Sequence, residues 1–585
     1  MTSERMQSPS FTNTLPWVSV RTLKNGWRAA ALLLAGIYAW AAASSHSMNA
    51  DGISYLDIGD AYMRGDWSSA ISTVWSPLYS WILGPLMALI NPSMEWEFPL
   101  VHLINFVIYA WALFCFEYFW RQCWVSMQSR RDDQAGLLTW PEWAWWSIGY
   151  LLFIWTSLVL IEIWAVTPDM LMASLVYLAG GQLVKILRGD TSRKLFLTFG
   201  LTLGLSYLAK AIMFPVSLVF LGAALLSLGD PRLAVSRALV GLGAFFAVSL
   251  PFILLVSQAA GGLTIGEAGE ITYVRYVNGV RYPHWQGDPP DNGVPLHPSR
   301  QIFDNPPIYE FGDPIRATYP IGYNPVYWYE GVEASVDLPQ QLRLATASVV
   351  YYADLFFVRL GAVFVTALLL LIVSRKDKFS FTGFLRSWGI ALPALAAFGL
   401  YALILVEGRY IGVFVVLFLA AVLSNIALPD RQLSARLYLA GAAVMVVALA
   451  VSLTLFSIEG YLDLNRNQID PPPTGSRPPG WPGEVAQELQ QLGINPGEPV
   501  GVIGYGFDSY WARLAKVRIV AEMLDVDAEA LWLADEELQT RVVEAFAAAG
   551  ADAIVAEYVP DHASLVGWHR VNDSNFFIYL SPPHE

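Results

Sequence analysis

Six ionisable residues stand at the edges of long apolar runs: Asp51, Glu162, Asp169, Lys210, Glu407 and Arg409. A charge at mid-bilayer costs about 2.5–3.5 kcal/mol on insertion scales, so charges beside apolar runs are informative. Arginine offers a phosphate a planar fork, and lysine offers it a point charge. Cations that meet a departing phosphate let a sugar leave its phosphoryl ester without a general acid. One positioned carboxylate then suffices to take the proton of an acceptor hydroxyl. Asp51 is the candidate for that base. The simpler alternative is that each charge merely ends a helix at the headgroups. Acids and bases mixed at one depth argue against that alternative for the set as a whole.

Asp51 begins the segment Asp51-Gly-Ile-Ser-Tyr-Leu-Asp57-Ile-Gly-Asp60. Gly52 is expected to permit a sharp turn there. The stretch after it is expected to form an amphipathic helix lying on the membrane, with Tyr55, Ile58 and Tyr62 on or near one face. Asp51 could equally cap that helix, and a capping aspartate can still face a site.

The elements that must position these residues follow from composition. The chain of 585 residues is 55% hydrophobic and only 14% charged, with mean hydropathy +0.44. Soluble chains carry about 25% charged residues, so lipid is the expected solvent. The net charge of -14 excludes a general nucleic-acid binder. Cys115 and Cys123 share one apolar segment, ~12 Å apart if helical. They can therefore form neither a disulfide nor a zinc site.

Apolar runs predict spans near 27–47, 98–120, 142–162, 168–187, 195–210, 211–228, 235–257, 351–374, 387–406, 410–428 and 436–458. Pro77–Ile90 is too short and is interrupted by Gly84 and Pro85, so it reads as an interfacial or re-entrant helix. With the N-terminus inside, the basic clusters all fall on the cytoplasmic side. They are Arg121/Arg130/Arg131, Lys185/Arg188/Arg193/Lys194, Arg232/Arg237, Arg375/Lys376/Lys378 and Arg431/Arg436. Ala41-Ala42-Ala43 could mimic a signal-peptidase site, but the run from Trp27 to Ser44 is longer than an ordinary signal core. An uncleaved anchor is the better reading.

This gives a cytoplasmic tail 1–26, a membrane domain 27–460 with outer loops 48–97 and 258–350, a Pro-rich linker 461–483, and a soluble domain 484–585. In the last, strands are predicted at 499–504, 517–522, 553–557 and 576–580, with helices at 484–492 and 534–549. The alternation suggests a small α/β domain.

The loop 258–350 is crowded with aromatic residues, among them Tyr282, His284, Trp285 and Tyr327-Trp328-Tyr329. They could stack on sugar rings or pack as a lid. His284, Asp288, Asp291 and His297 resemble a metal cluster, but the intervening prolines break its spacing and no metal is expected. Gly501-Val-Ile-Gly504-Tyr-Gly506 falls short of a nucleotide fingerprint and reads as a structural turn. His562 and His569 suggest no partner.

Four motifs in order carry a resemblance. Asp51-Gly-x-x-Tyr55 with Gly65-Asp-Trp67 and Trp75-Ser-Pro-Leu-Tyr79 is the first. Thr167-Pro-Asp169-Met-Leu-Met-Ala173, Gly204-Leu-Ser-Tyr-Leu-Ala-Lys210 and Glu407-Gly-Arg409-Tyr410 follow. Together they resemble GT-C glycosyltransferases, the superfamily of the lipid A aminoarabinose transferases and protein O-mannosyltransferases. The resemblance implies a polytopic α-helical GT-C-like membrane protein of about eleven transmembrane helices with a C-terminal extracytoplasmic α/β domain. It implies Asp51 and Asp169 as catalytic acids, with Lys210 and Arg409 on a lipid-linked phosphate. Tyr410, Tyr55, Glu162, His284 and Trp285 are further substrate-binding candidates. Where some relatives carry Glu or His before the Pro-Leu pair, this chain has Trp75-Ser76. No Asp-x-Asp stands in the first loop, which speaks against the metal-dependent oligosaccharyltransferase branch.

The expected activity is inverting transfer of a sugar from a polyprenyl-phosphate donor to a glycan, lipid or protein acceptor. The expected place is the periplasmic face of a bacterial inner membrane, with no cofactor. A transporter or flippase would place charges at mid-span with internal repeats, which are not seen. An inactive assembly subunit keeping the scaffold is the other alternative.

Overall fold

The computed structural model describes residues 19–46, 48–133, 137–280, 300–311, 316–326, 332, 334–374, 381–469, 481–557, 559, 560, 563 and 565–581. His284, Trp285 and the His284/Asp288/Asp291/His297 set lie outside them. So do Tyr282, Tyr327-Trp328-Tyr329, Arg375/Lys376/Lys378, linker residues 470–480 and His562.

The first half of the membrane part runs through α1 (Val20–Ser45), α2 (Ala50–Arg64), α3 (Pro77–Ile90), α4 (Met94–Asp133) and α5 (Glu142–Trp155). Then come α6 (Asp169–Leu187), α7 (Arg193–Ala209), α8 (Met213–Leu226) and α9 (Pro231–Ala259). After the outer loop follow α10 (Leu338–Ala353), α11 (Gly361–Val373), α12 (Ala391–Ala402), α13 (Gly408–Ser424) and α14 (Gln432–Ile469). Among the described residues, six helices are long and apolar enough to cross a membrane. They are α1, α4, α5 with its π-helical continuation to Leu160, α6, α9 and α14. Leu338–Arg359 and α11 are bent by 86° and would make a seventh if they form one span. The other runs expected as spans coincide with shorter helices.

The packing explains which faces are apolar. Leu103, Val107, Trp111 and Phe114 on α4 are exposed at helical spacing, as are Val444, Val447, Val451, Leu455 and Ile458 on α14. Such rows have no partner in water and are what lipid solvates. Nearly every residue of α6, by contrast, is buried, and α4 lies along it. Length, composition and these outward rows make this a multi-pass membrane protein.

Two expectations about α2 are corrected. Gly52 lies inside the helix rather than at a turn; the chain bends at His46, whose φ is 50°. A Cβ at Gly52 would stand 2.6 Å from the Met48 Sδ and 2.8 Å from the Val166 Cβ, so glycine is there for contact. Nor is α2 amphipathic: Gly52–Gly59 are all buried. It is walled in by α3, by the 317–323 segment and by Arg513 of the C-terminal region. Asn49, not Asp51, takes the capping position.

The C-terminal residues and part of the outer loop together build a seven-stranded sheet. Its strands are β1 (Arg300–Asp304), β2 (Pro307–Glu310), β3 (Pro499–Gly504), β4 (Arg518–Leu524), β5 (Ala553–Ala556), β6 (His569–Arg570) and β7 (Phe577–Leu580). The order is β1-β2-β4-β3-β5-β7-β6, with β4-β3-β5 parallel. The four strands and two helices predicted in the tail are all found there. β1 and β2 come from the outer loop: Tyr309 pairs with Glu522 and Glu310 with Ala521. Gly506, in the turn after β3, donates its N–H to Glu522 at 2.7 Å, a structural role. His569, for which the sequence suggested no partner, sits 2.7 Å from Glu488.

Candidate functional site

Asp51 stands in the first turn of α2, where open N–H groups favour a carboxylate. The Asn49 side chain fixes that turn, accepting from the Val166 N–H at 3.0 Å and donating to the Val166 carbonyl at 3.3 Å. The tied segment leads directly into Asp169, the first residue of α6. Within it Glu162 has φ 57°, a left-handed backbone that non-glycine residues adopt at a cost.

Lys210 follows α7 in an extended conformation, which breaks the helix and turns the ammonium inward. It forms an ion pair with Asp169 and lies 3.8 Å from the centre of the Tyr410 ring. Arg409 enters at the start of α13. Its Nη1 donates to the Asp51 Oδ2 at 3.0 Å, its Nε to the Glu407 Oε2 at 2.8 Å and its Nη2 to the Tyr410 hydroxyl at 3.3 Å. Gly408 lets this corner approach the backbone of Leu160, where a Cβ would meet the carbonyl oxygen at 3.1 Å. The Tyr410 ring thus has one cation over it and another beside it, and it stacks on Tyr401 at 5.2 Å.

Asp51, Asp169, Lys210 and the adjacent pair Arg409 and Tyr410 are therefore brought together from four separate segments. Glu162 lies close enough to Arg409 and Glu407 to feel both charges. Exposure grades the site: the Asp51 side chain is 31% exposed and Arg409 25%, Lys210 22% and Asp169 1%. The outer three can be reached by a substrate, whereas Asp169 anchors Lys210 from beneath. Tyr55 is buried, edge-on to Trp75 at 5.3 Å and to Tyr79 at 5.2 Å, and forms the wall behind Asp51. Its ring packs, and sequence gave no sign of that. Also missed were Tyr401, an ordinary aromatic of an apolar run, and Glu407 as a direct partner of Arg409. Among the described residues no group of three His, Cys, Asp or Glu could hold a metal ion.

The fold and the site define a class: a multi-pass helical membrane protein with a mixed acid–base cluster at one end of its helices. No family model matches the chain and no curated protein matches its sequence. Among solved structures it is similar to ArnT from Cupriavidus metallidurans bound to undecaprenyl phosphate, at 13% identity and TM-score 0.45, covering 95% of this chain and 98% of that one. It is similar also to the Archaeoglobus fulgidus oligosaccharyltransferase in complex with zinc and sulfate, at 12% identity and TM-score 0.44, over 90% of this chain and 68% of that one. Arabinofuranosyltransferase AftD from Mycobacteria matches at 14% identity and TM-score 0.49, over 97% of this chain and 40% of that one. Likeness at this level carries no argument about activity, which must come from the cluster itself.

Proposed function

We propose that this chain is an inverting glycosyltransferase. It takes a sugar from a polyprenyl-phosphate donor and passes it to a hydroxyl acceptor on the outer face of the membrane. The observation that carries the reading is the contact of Arg409 with Asp51 while Arg409 and Lys210 share Tyr410. A donor phosphate reaching the exposed edges of Arg409 and Lys210 competes with Asp51 for the guanidinium. Once the fork turns to phosphate, Asp51 is released as a base beside the reacting carbon. The acceptor oxygen then gives its proton to the Asp51 carboxylate and forms the new bond to the anomeric carbon. The bond from that carbon to the phosphate oxygen breaks, and its electron pair stays on the phosphate, held by Arg409 and Lys210.

The finer features belong to the same proposal: about eleven crossings, a bacterial inner membrane, a periplasmic site and an outer α/β domain. Glu162 and Tyr410 would border the sugar, and His284 and Trp285 would reach it from the outer loop. The acceptor is a glycan, lipid or protein hydroxyl, and no cofactor takes part. Undecaprenyl phosphate, the lipid bound in the ArnT structure, is the natural first probe of the donor side.

The test compares cellular glycolipids and glycans by mass spectrometry in a deletion strain carrying wild-type or Asp51→Asn chain at equal abundance. A general base contributes about 10²–10⁴-fold, so the Asn variant should reduce the product at least about a hundredfold. Full restoration of the product by Asp51→Asn would end the proposal.

A further inference from the structure

Away from the site, Arg513 gathers three carboxylates around one buried guanidinium. Its Nη1 lies 2.7 Å from Asp57 and 2.6 Å from Asp60, and its Nη2 lies 3.3 Å from Glu97. Arg513 belongs to the short helix Tyr510–Ala515 of the C-terminal region, Asp57 and Asp60 to α2, and Glu97 to the first turn of α4. The cluster is closed around Asp57 and Glu97 and open to solvent at Asp60. Asp57 also accepts from the Thr318 N–H at 2.8 Å and its hydroxyl at 3.1 Å, and the Tyr510 hydroxyl reaches Glu97 at 3.2 Å. One side chain from the tail therefore ties together two elements of the membrane part.

The tied helix is the one that carries Asp51. Asp57 lies six residues further along, ~9 Å of helix rise. Among the contacts that set the position of α2, three are spaced along its length. Asn49 holds its start to Val166, the Gly59–Gly84 contact holds its middle to α3, and Arg513 holds Asp57 and Asp60. Only the last comes from the tail. Without the guanidinium, buried Asp57 and Glu97 would face each other beside the partly exposed Asp60, and their repulsion would push α2 away from α4.

We propose that Arg513 is a positioning residue for transfer: it holds α2 so that Asp51 meets Arg409, and the C-terminal region is thereby a working part of the site. This rests on the glycosyltransferase reading, since it concerns the placement of the base in that reaction.

The test uses the full-length chain with Arg513→Met, Arg513→Lys and the triple variant Arg513→Met/Asp57→Asn/Asp60→Asn. Two readouts are taken: cellular product at equal protein level, and hydrogen exchange of α2 amides in detergent. In Arg513→Met, exchange across 50–64 should rise about tenfold while α6 stays protected, and product should fall about tenfold or more, as expected for an ångström-scale misplacement. Arg513→Lys and the triple variant, which relieves the repulsion, should regain part of both. Unchanged α2 exchange, or equal loosening of α2 and α6 without rescue in the triple variant, would overturn the positioning role. Looser α2 with full product from Asp51→Asn would keep the tether and overturn the transferase reading instead.

Discussion

Arg409 is the residue whose chemistry most depends on what surrounds it. With Asp51 and Glu407 both in its grasp, its charge is spent on carboxylates until a better anion arrives. A lysine there would keep the charge and lose the fork, so Arg409→Lys should cut product about tenfold or more while Asp51 stays in place. Equal product from Arg409→Lys would show that the fork is not used. A second titratable residue belongs to the tail. Glu557 is fully enclosed, its Oε1 accepting from the Trp511 N–H at 2.7 Å and the Ser509 hydroxyl at 3.3 Å. Burial pushes its carboxyl from an ordinary 4.5 up to about 7. A raised carboxyl holds its proton longer in the folded chain than in the unfolded one. Its stabilising contribution is thus full below pH 4.5 and is lost as the pH climbs through about 7, a swing of roughly 3 kcal/mol. Glu557→Gln should therefore raise the melting temperature at pH 8 and leave it nearly unchanged at pH 4.5. Thermal melts followed by tryptophan fluorescence decide it, and an equal shift at both pH values would refute this account.

Among elements, the pairing of α2 with α3 is set by two glycines. A Cβ on Gly84 would lie 2.7 Å from the Gly59 carbonyl oxygen, and one on Gly59 would lie 3.0 Å from the Gly84 Cα. Backbone therefore meets backbone, and the Ser80 hydroxyl adds a bond to the Tyr55 carbonyl at 2.8 Å. Gly84→Val must open this crossing, and overpacking of this kind costs about 1–3 kcal/mol. The expected result is a lower melting temperature in detergent together with less product, because α2 carries Asp51. A wild-type melt would mean that the helices separate freely. Gly84 was visible in the sequence only as an interruption of an apolar run. Its actual reason lies in another helix, and no periodicity within residues 77–90 could reveal it.

At the level of the whole molecule, the paired acids and bases of the site gather at one end of the helices, and the other end carries arginines. Asp169 begins α6 and Arg188 follows its end; Glu97 begins α4 and Arg130 nears its end. Arg130 donates to the Ser424 carbonyl at 2.8 Å and to Asn425 at 3.0 Å, at the end of α13 opposite Arg409. Arg409 and Ser424 lie fifteen residues apart along α13, roughly 22 Å of helix. The tail sheet sits at the Asp51 end. It joins the membrane part through Arg513, through the β2–β4 pairing and through Tyr319, whose hydroxyl donates to Glu522 at 2.9 Å. A chain ending after Ile469 would lose the cation that Asp57, Asp60 and Glu97 share and leave β2 without its neighbour β4. It should accumulate poorly in the membrane fraction by immunoblot, and normal accumulation with normal product would show the tail to be dispensable.

Local chemistry was legible from sequence wherever one segment decides the outcome. Apolar runs marked the helices, alternation marked the tail strands, and charges at run edges marked Asp51, Asp169, Lys210 and Arg409, because periodicity and the cost of burying charge act within a few turns. Contacts between distant segments were decided only by the tertiary structure. Residues 300–310 enter a sheet with strands some two hundred residues later, Gly59 meets Gly84, and Arg513 finds Asp57, Asp60 and Glu97. Each of these partners reads alone as an ordinary turn, gap or surface charge. Its meaning comes from the neighbour that excludes water around it, and that neighbour is chosen by the packing of the whole chain.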